Sequence, residues 1–439
     1  MKKTLIAVAA AAALATSSAF AEITFGAWLR VLAAPVASNG DDVIVGMENS
    51  WGWGARTARL DINAVSEDGK AGFAMGVFND VGGIGMGDRA SMWVKPIDML
   101  KVSVGKYDSP DNGLRGDFTY GSWAWLRPYN WAYDGEGLTF DGIWRQGLML
   151  ELDPVEGLHV FAVVPMSTSY DKAEDVYKNI QAGFGYTIEG VGRIKAQYIG
   201  DYSSTGAKDA VKEVWGWSND TDKKGNNVLD PNNATRPEWQ KLSEAKAAQK
   251  DEDKTTGQIG VAFDLTAVEN LYVTIGARFG IADKDYAPDY LKMAFTAGVS
   301  YQITEEFKVS VDGGFKMFQD KCIGKADDLD DKVFFVGAGI DYALMDGLAL
   351  TADVRYMSLA VRENKDENYW GYGKDGDDGA FSFLVGVNKS VGSNGSIGIA
   401  FQGATNGCGL VTNDGSGIVA APDGDEFCWA IPVSVSVWF

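Results

Sequence analysis

The chain ends on Ala430-Ile431-Pro432-Val433-Ser434-Val435-Ser436-Val437-Trp438-Phe439, a strict alternation that stops on an aromatic residue. As a strand it puts Val433, Val435, Val437 and Phe439 on one face and Ser434, Ser436 and Trp438 on the other. A soluble sheet rarely stops on such a strand, because its free edge recruits other chains. A closed barrel in a membrane has no free edge, and it requires this alternation of lipid-facing and lumen-facing residues. Residues 23–32 are the expected partner that closes the ring.

The opposite end is consistent with export. Lys2 and Lys3 form a basic n-region, residues 5–14 an apolar h-region, and Ala19-Phe20-Ala21 a small-x-small cleavage site. Residues 1–21 are therefore expected to be a signal peptide, and residues 22–439 a single barrel. The h-region is too short to span a bilayer as a helix, and no later stretch offers about twenty consecutive apolar residues. A helical membrane protein is excluded. The remaining 418 residues (439 minus 21) suffice for sixteen strands or more. Glycine is frequent at 54 and proline scarce at 11, while 14 Trp, 17 Tyr and 21 Phe can supply the aromatic girdles at two membrane interfaces. Net charge is −21; without Lys2 and Lys3 it becomes −23, 37 basic against 60 acidic residues. That balance argues against a nucleic-acid partner.

Between the ends, short turns alternate with long polar segments, as an antiparallel barrel requires to distinguish its two rims. Short turns are read at 66–69, 95–98, 153–158, 188–192, 266–270, 303–306, 344–348 and 390–395. The strands they join are 23–32, 53–66, 70–78, 89–95, 100–107, 146–153, 158–164, 179–188, 192–202, 257–265, 270–280, 291–301, 306–318, 333–343, 347–359, 380–390, 395–405 and 428–439. The fold class is thus all-β, a transmembrane antiparallel barrel of about eighteen strands, with sixteen as the alternative. Periodicity also assigns faces. Phe307, Val309, Val311, Phe315 and Met317 look toward lipid, and Lys308, Ser310, Asp312 and Lys316 toward the lumen. In the next hairpin Leu348, Leu350, Ala352, Val354 and Tyr356 look out, and Thr351, Asp353 and Arg355 look in. Charges at the lipid midplane cost about 2–4 kcal/mol for Arg or Lys, so a face carrying several requires a wet interior. That interior is a channel or a plugged lumen.

The third long segment, 108–137, is the first choice for a functional element. It holds Asp111, Arg115, Asp117, Arg127, Asp134 and Glu136 among many aromatics, including Trp123 and Trp125. So many aromatic side chains need a surface to pack against. The inside of the barrel wall is one such surface; neighbouring outer loops or a second protomer are the other. Folded inward, the loop would set its carboxylates against lumen-facing Arg30 and Arg59 and create a transverse field. Trp123 and Trp125 could instead stack on sugars.

Three resemblances extend this reading. The tail resembles the C-terminal signature of bacterial outer-membrane β-barrels, in which a final Phe marks the last strand for insertion. Trp93-Val94-Lys95-Pro96-Ile97-Asp98-Met99-Leu100, together with Gly121-Ser122-Trp123-Ala124-Trp125-Leu126-Arg127-Pro128 and the early segment 22–28, resembles treponeme-like spirochaete outer-membrane proteins of the porin kind. The position of 108–137 after the fifth strand is similar to the loop that general porins fold into the pore. The resemblance implies a diffusion channel in the bacterial outer membrane, and a homotrimer is the porin-like expectation. The chain is accordingly expected to contact outer-membrane lipid, to pass small hydrophilic solutes and ions, and to lack a covalent mechanism, catalytic residues or a cofactor. A surface-exposed adhesin or structural barrel with a blocked lumen is the alternative.

Other motifs carry less. Cys408 and Cys428 bracket the last long loop, which suits a disulfide in an oxidising compartment, and leave Cys322 over. Their spacing and the single histidine argue against zinc. That histidine, His159, follows a short turn, the end opposite to where barrel hydrolases carry their catalytic groups, so a structural role is expected. Asp220-Thr221-Asp222-Lys223-Lys224-Gly225 and Asp375-Gly376-Asp377-Asp378-Gly379 look like calcium-loop fragments. The first sets a lysine in a ligand slot and ends on Pro231 where a glutamate belongs, so solvated acidic loops fit better. Residues 203–256 form the longest outer loop, with a short helix expected around 235–249.

Overall fold

The computed structural model describes residues 21–38, 43–45, 58–80, 83–106, 146–165, 177–205, 214–217, 229–230, 233–237, 239–243, 252–281, 291–318, 332–357, 380–405 and 427–439. Residues 1–20 of the expected signal peptide, the 108–137 loop and both calcium-like segments lie outside them, while Ala21, expected to be its last residue, opens the first strand.

Eighteen strands form one closed antiparallel barrel. They are β1 (Ala21–Ser38), β2 (Ala58–Ser66), β3 (Ala71–Asp80), β4 (Gly83–Ile97), β5 (Leu100–Lys106), β6 (Gln146–Val155), β7 (Leu158–Pro165), β8 (Gln181–Ile188) and β9 (Gly192–Thr205). The second half comprises β10 (Glu252–Leu265), β11 (Leu271–Gly280), β12 (Leu291–Gln302), β13 (Phe307–Phe318), β14 (Lys332–Met345), β15 (Leu348–Met357), β16 (Ala380–Val391), β17 (Gly395–Ala404) and β18 (Cys428–Trp438). All eight short turns stand where the alternation places them. The terminal strand closes on the first, with Trp28 opposite Trp438 and Arg30 opposite Ser436. Phe439 completes the seam through two backbone bonds with Ala27, at 2.8 and 3.0 Å.

One connection departs from expectation. Residues 79–88 read as a long polar segment, yet β3 and β4 run together as far as the pair Asp80 and Gly83. Glycines at 82, 83, 85 and 87 depress apparent strand propensity there, but interstrand pairing overrides that weak signal. The short-turn rim follows ordinary turn chemistry. Asn270, at φ 63°, is the one described non-glycine residue in the left-handed region, and Gly347, at φ 68°, fills the equivalent place between β14 and β15.

The two faces of the wall differ as a bilayer demands. Outward residues such as Phe25, Met92, Ile275, Val311, Val336 and Ile399 are exposed and apolar. At the long-loop rim, Phe334, Tyr356 and Phe381 stack successively at 5.7 and 4.9 Å, and at the short-turn rim Phe307 meets Tyr342 at 5.9 Å. Such paired girdles mark the two interfaces of a membrane barrel. The inward row is polar and withdrawn from solvent: Ser310, Asp312, Thr351, Asp353 and Arg355 are all buried. These are the faces that alternation assigned.

Residues Asp201–Thr255 form a second compact unit. In it Val214–Trp217 pairs with Trp239–Ser243, and Leu229–Asp230 with Asn233–Pro237. The helix expected from residue 235 is therefore replaced, through residue 243, by strand; the remainder of that stretch lies outside the described residues. Cross-strand pairing, invisible to local propensity, decides the outcome.

Candidate functional site: the lumen wall

The inward row is organised as a set of ion pairs between neighbouring strands. Near the short turns, Lys101 Nζ of β5 lies 2.8 Å from Glu151 of β6, and Lys195 Nζ of β9 lies 2.6 Å from Asp264 of β10. Asp264 also accepts from Thr274 of β11 at 2.8 Å. Asp341 of β14 sits between Lys308 of β13, at 3.4 Å, and Thr351 of β15, at 2.8 Å. Register explains these contacts, since Asp264 is directly opposite Thr274, and Asp341 opposite both Lys308 and Thr351.

Deeper along the strands the pairs reach further. Arg355 of β15 donates through Nη2 to Asp312 of β13 at 2.5 Å, passing over β14 altogether. The intervening residue is Gly337, opposite both partners in register. A Cβ there would run into the guanidinium, so the absence of a side chain is what opens the route. Arg59 of β2 lies in the same manner over Gly76 of β3, whose added Cβ would come within 3.2 Å of Nε. Glycine in the inward row thus acts as a saddle over which a long side chain lies flat against the wall.

A third saddle carries an aromatic ring. Trp93 of β4 is opposite Gly72 of β3, and a Cβ on Gly72 would come 2.6 Å from the indole. Lys95 and Lys101 each hold an ammonium 5.8 Å from the ring centroid. Apolar side chains also enter the lumen: Phe161 and Val163 of β7 are fully buried and pack with Met149 and Ala262.

The expected site residues divide in three. Arg59 is inward-facing as the alternation requires, and it lies 2.6 Å from Asp61 of its own strand; the loop acids expected opposite it fall outside the described residues. Arg30 is placed by its backbone, on the same face as Arg59 because Trp28, two residues earlier, is opposite Arg59. Asp111, Arg115, Asp117, Trp123, Trp125, Arg127, Asp134, Glu136 and Cys408 lie outside the described residues, and Cys428 is fixed by its backbone pairing with Ala404. His159 stands at the short-turn rim, its Nδ1 2.7 Å from Asp153 Oδ1. Among the described residues no group of three potential metal ligands occurs. Trp93 with its two lysines is not among the expected site residues, although Met92 and Val94 facing outward is the alternation that sends Trp93 and Lys95 inward.

At the same rim, Asp68 of the β2–β3 turn titrates below the usual carboxylate range. The Ser66 hydroxyl hydrogen-bonded to it is the main cause, followed by the Lys70 amide.

No protein-family model matches the chain, and no curated protein aligns with it significantly. Solved structures similar to it include an anion-selective porin from Comamonas acidovorans, at 13% identity and TM-score 0.46, with 95% of this chain and 100% of that one covered. The trimer form of the outer-membrane protein OmpT of Vibrio cholerae aligns at 13% identity and TM-score 0.41 over 95% and 99% of the two chains. A mutant of the Rh. blastica porin aligns at 14% identity and TM-score 0.40 over 95% and 100%.

Proposed function

We propose that the chain is an outer-membrane porin, a passive diffusion channel for small hydrophilic solutes and ions that performs no covalent chemistry. The observation that carries this reading is the two-sided wall, apolar and girdled outside, charged and internally paired inside. A soluble protein would not display the first face, and a solid apolar core would not tolerate the second. Selection would come from pore width and from the field at the narrowest point. The aromatic loop 108–137 is proposed as one wall of that constriction, and the resemblance to spirochaete porins rests on 22–28, 93–100 and 121–128.

A homotrimer belongs to the same proposal. On the outer face of β8 to β13 a groove of about 650 Å³, lined by Ala277, Ala297 and Gly313 between larger apolar residues, would let a second wall approach closely. Planar-bilayer recording with purified, folded protein tests the channel: stepwise conductance in KCl is expected, and its persistent absence sinks the reading. The rival, an adhesin with a blocked lumen, is favoured by how thoroughly Lys195, Arg355 and Asp312 are withdrawn from solvent. Host-matrix binding without conductance would decide for it.

A further inference from the structure

Most charges of the inward wall are matched within it. Lys101 with Glu151, Lys195 with Asp264, Arg59 with Asp61 and Arg355 with Asp312 each close on a carboxylate. Lys95 differs. Among the described residues no carboxylate lies within ion-pair distance of it, and its ammonium meets the face of Trp93. Two acids of that rim are engaged elsewhere: Asp98 faces Lys70 at 4.0 Å and Asp153 faces His159. In a chain of net charge −21, an ammonium without a counterion among the described residues, over a partly exposed indole, is a local inversion of the field.

The indole is held flat. Its back lies on the Gly72 backbone, where any Cβ would also strike the Ala64 carbonyl oxygen at 2.6 Å, and its front faces the lumen. Lys95 extends from the same strand two residues on, and Lys101 from β5 is diagonal to it, since Trp93 is opposite Ser103. Two ammonium donors therefore stand over one flat apolar surface, each on a flexible stem that lets it move to the edge of the indole when a ring docks.

We propose that Trp93, Lys95 and Lys101 form a docking site at the short-turn mouth of the lumen for small anions carried on a flat ring, aromatic carboxylates above all. The ring stacks on the indole, where base–aromatic stacking elsewhere is worth about 1–3 kcal/mol. The carboxylate takes Lys95 as its principal partner and a share of Lys101, in charge-assisted hydrogen bonds. Acetate offers the charge without the ring, and benzyl alcohol the ring without the charge; each engages only half of the site. This inference rests on the channel reading for its biological meaning, whereas the binding itself does not depend on conduction.

The test has two arms. In planar bilayers, benzoate added on the short-turn side should reduce acetate current in a saturating manner. Trp93→Leu and Lys95→Met should each raise the half-blocking concentration at least fivefold, and Trp93→Phe should sit between them and the wild type. Titration calorimetry on detergent-folded protein supplies the second arm, with benzoate heat expected and lost in the same variants. Conductance without benzoate block, or block unaltered in both variants, overturns the docking site and spares the channel. No conductance in KCl, with benzoate heat that depends on Trp93, overturns the channel and spares the docking site. Absence of both benzoate block and benzoate heat in the wild type overturns the docking site.

Discussion

Gly337 and Gly72 occupy the same kind of position, an inward-facing glycine beneath a large side chain from an adjacent strand, and they lead to opposite results. Over Gly337 lies Arg355, 1% exposed and closed on Asp312 two strands away. Over Gly72 lies Trp93, partly exposed, with an ammonium over its ring that no described carboxylate of the wall satisfies. The backbone device is identical; the second partner differs. Where the wall supplies a counterion, the saddle becomes a cross-strand staple. Where it supplies none, the saddle presents a surface to solute.

The largest effect is expected at the closed saddle. Asp312→Ala or Arg355→Met alone leaves a buried charge without its partner, and each should cost about 3–5 kcal/mol. Replacing both, Asp312→Leu with Arg355→Met, should restore most of that loss. Urea unfolding of the barrel in lipid vesicles, followed by tryptophan fluorescence, measures all three. Simple addition of the single costs in the double variant would refute the staple.

Next comes a test of the faces themselves. Val336 precedes Gly337 and is half exposed on the outer wall. Val336→Arg puts a cation in lipid and should cost about 2–4 kcal/mol. A cost near zero in the same vesicle assay would mean that this face does not meet hydrocarbon.

How much of this is legible in the chain follows from what alternation encodes. A period of two reports the face of each residue, so the outward Val311 and Val354 and the inward Asp312, Asp353 and Arg355 can be read directly. Turn chemistry marks six of the eight short turns, where Gly69, Gly157, Gly190, Asn270, Gly347 and Gly392 stand in left-handed backbone, whereas the turns at 95–98 and 303–306 hold neither Gly nor Asn. Periodicity does not report which inward residue meets which. It places Arg59 on the inward face but does not report its contact with Asp61, one pleat along the same strand. The Arg355 staple depends on register across three strands and on the missing side chain at 337, neither of which a local pattern contains. The β3–β4 hairpin is hidden for a related reason, since glycine reads as loop even where pairing holds it in a strand.

The saddles themselves can be filled. Gly337→Ala and Gly72→Ala each push a side chain off the wall, and overpacking of this kind typically costs about 1–3 kcal/mol. The two should separate by readout. Gly337→Ala should appear as lost stability, because Arg355 is buried and has nowhere to withdraw. Gly72→Ala should lose stability as well, because its Cβ meets the Ala64 carbonyl oxygen, and should in addition weaken benzoate block, because Trp93 is pushed off its seat. Equal stability losses with benzoate block intact would erase the distinction between the two sites.

The smallest effect belongs to the fully solvated end of the same series. Asp68 accepts from the Ser66 hydroxyl at 2.6 Å and from the Lys70 amide at 3.0 Å, in the β2–β3 turn. These bonds favour the charged carboxylate and hold its pKa below the ordinary 3.8. A carboxyl depressed on folding contributes stability above its unfolded value, and that contribution disappears as pH falls through the lower, folded value. Ser66→Ala should therefore move the Asp68 titration upward, followed by NMR of its carboxyl carbon, and trim acid resistance only below about pH 4. Around neutral pH the variant and wild type should unfold alike. An unmoved titration would show that the hydroxyl does not hold this carboxylate. A change as large as that at Asp312 would contradict the premise that burial, rather than charge alone, sets the magnitude at each site along the wall.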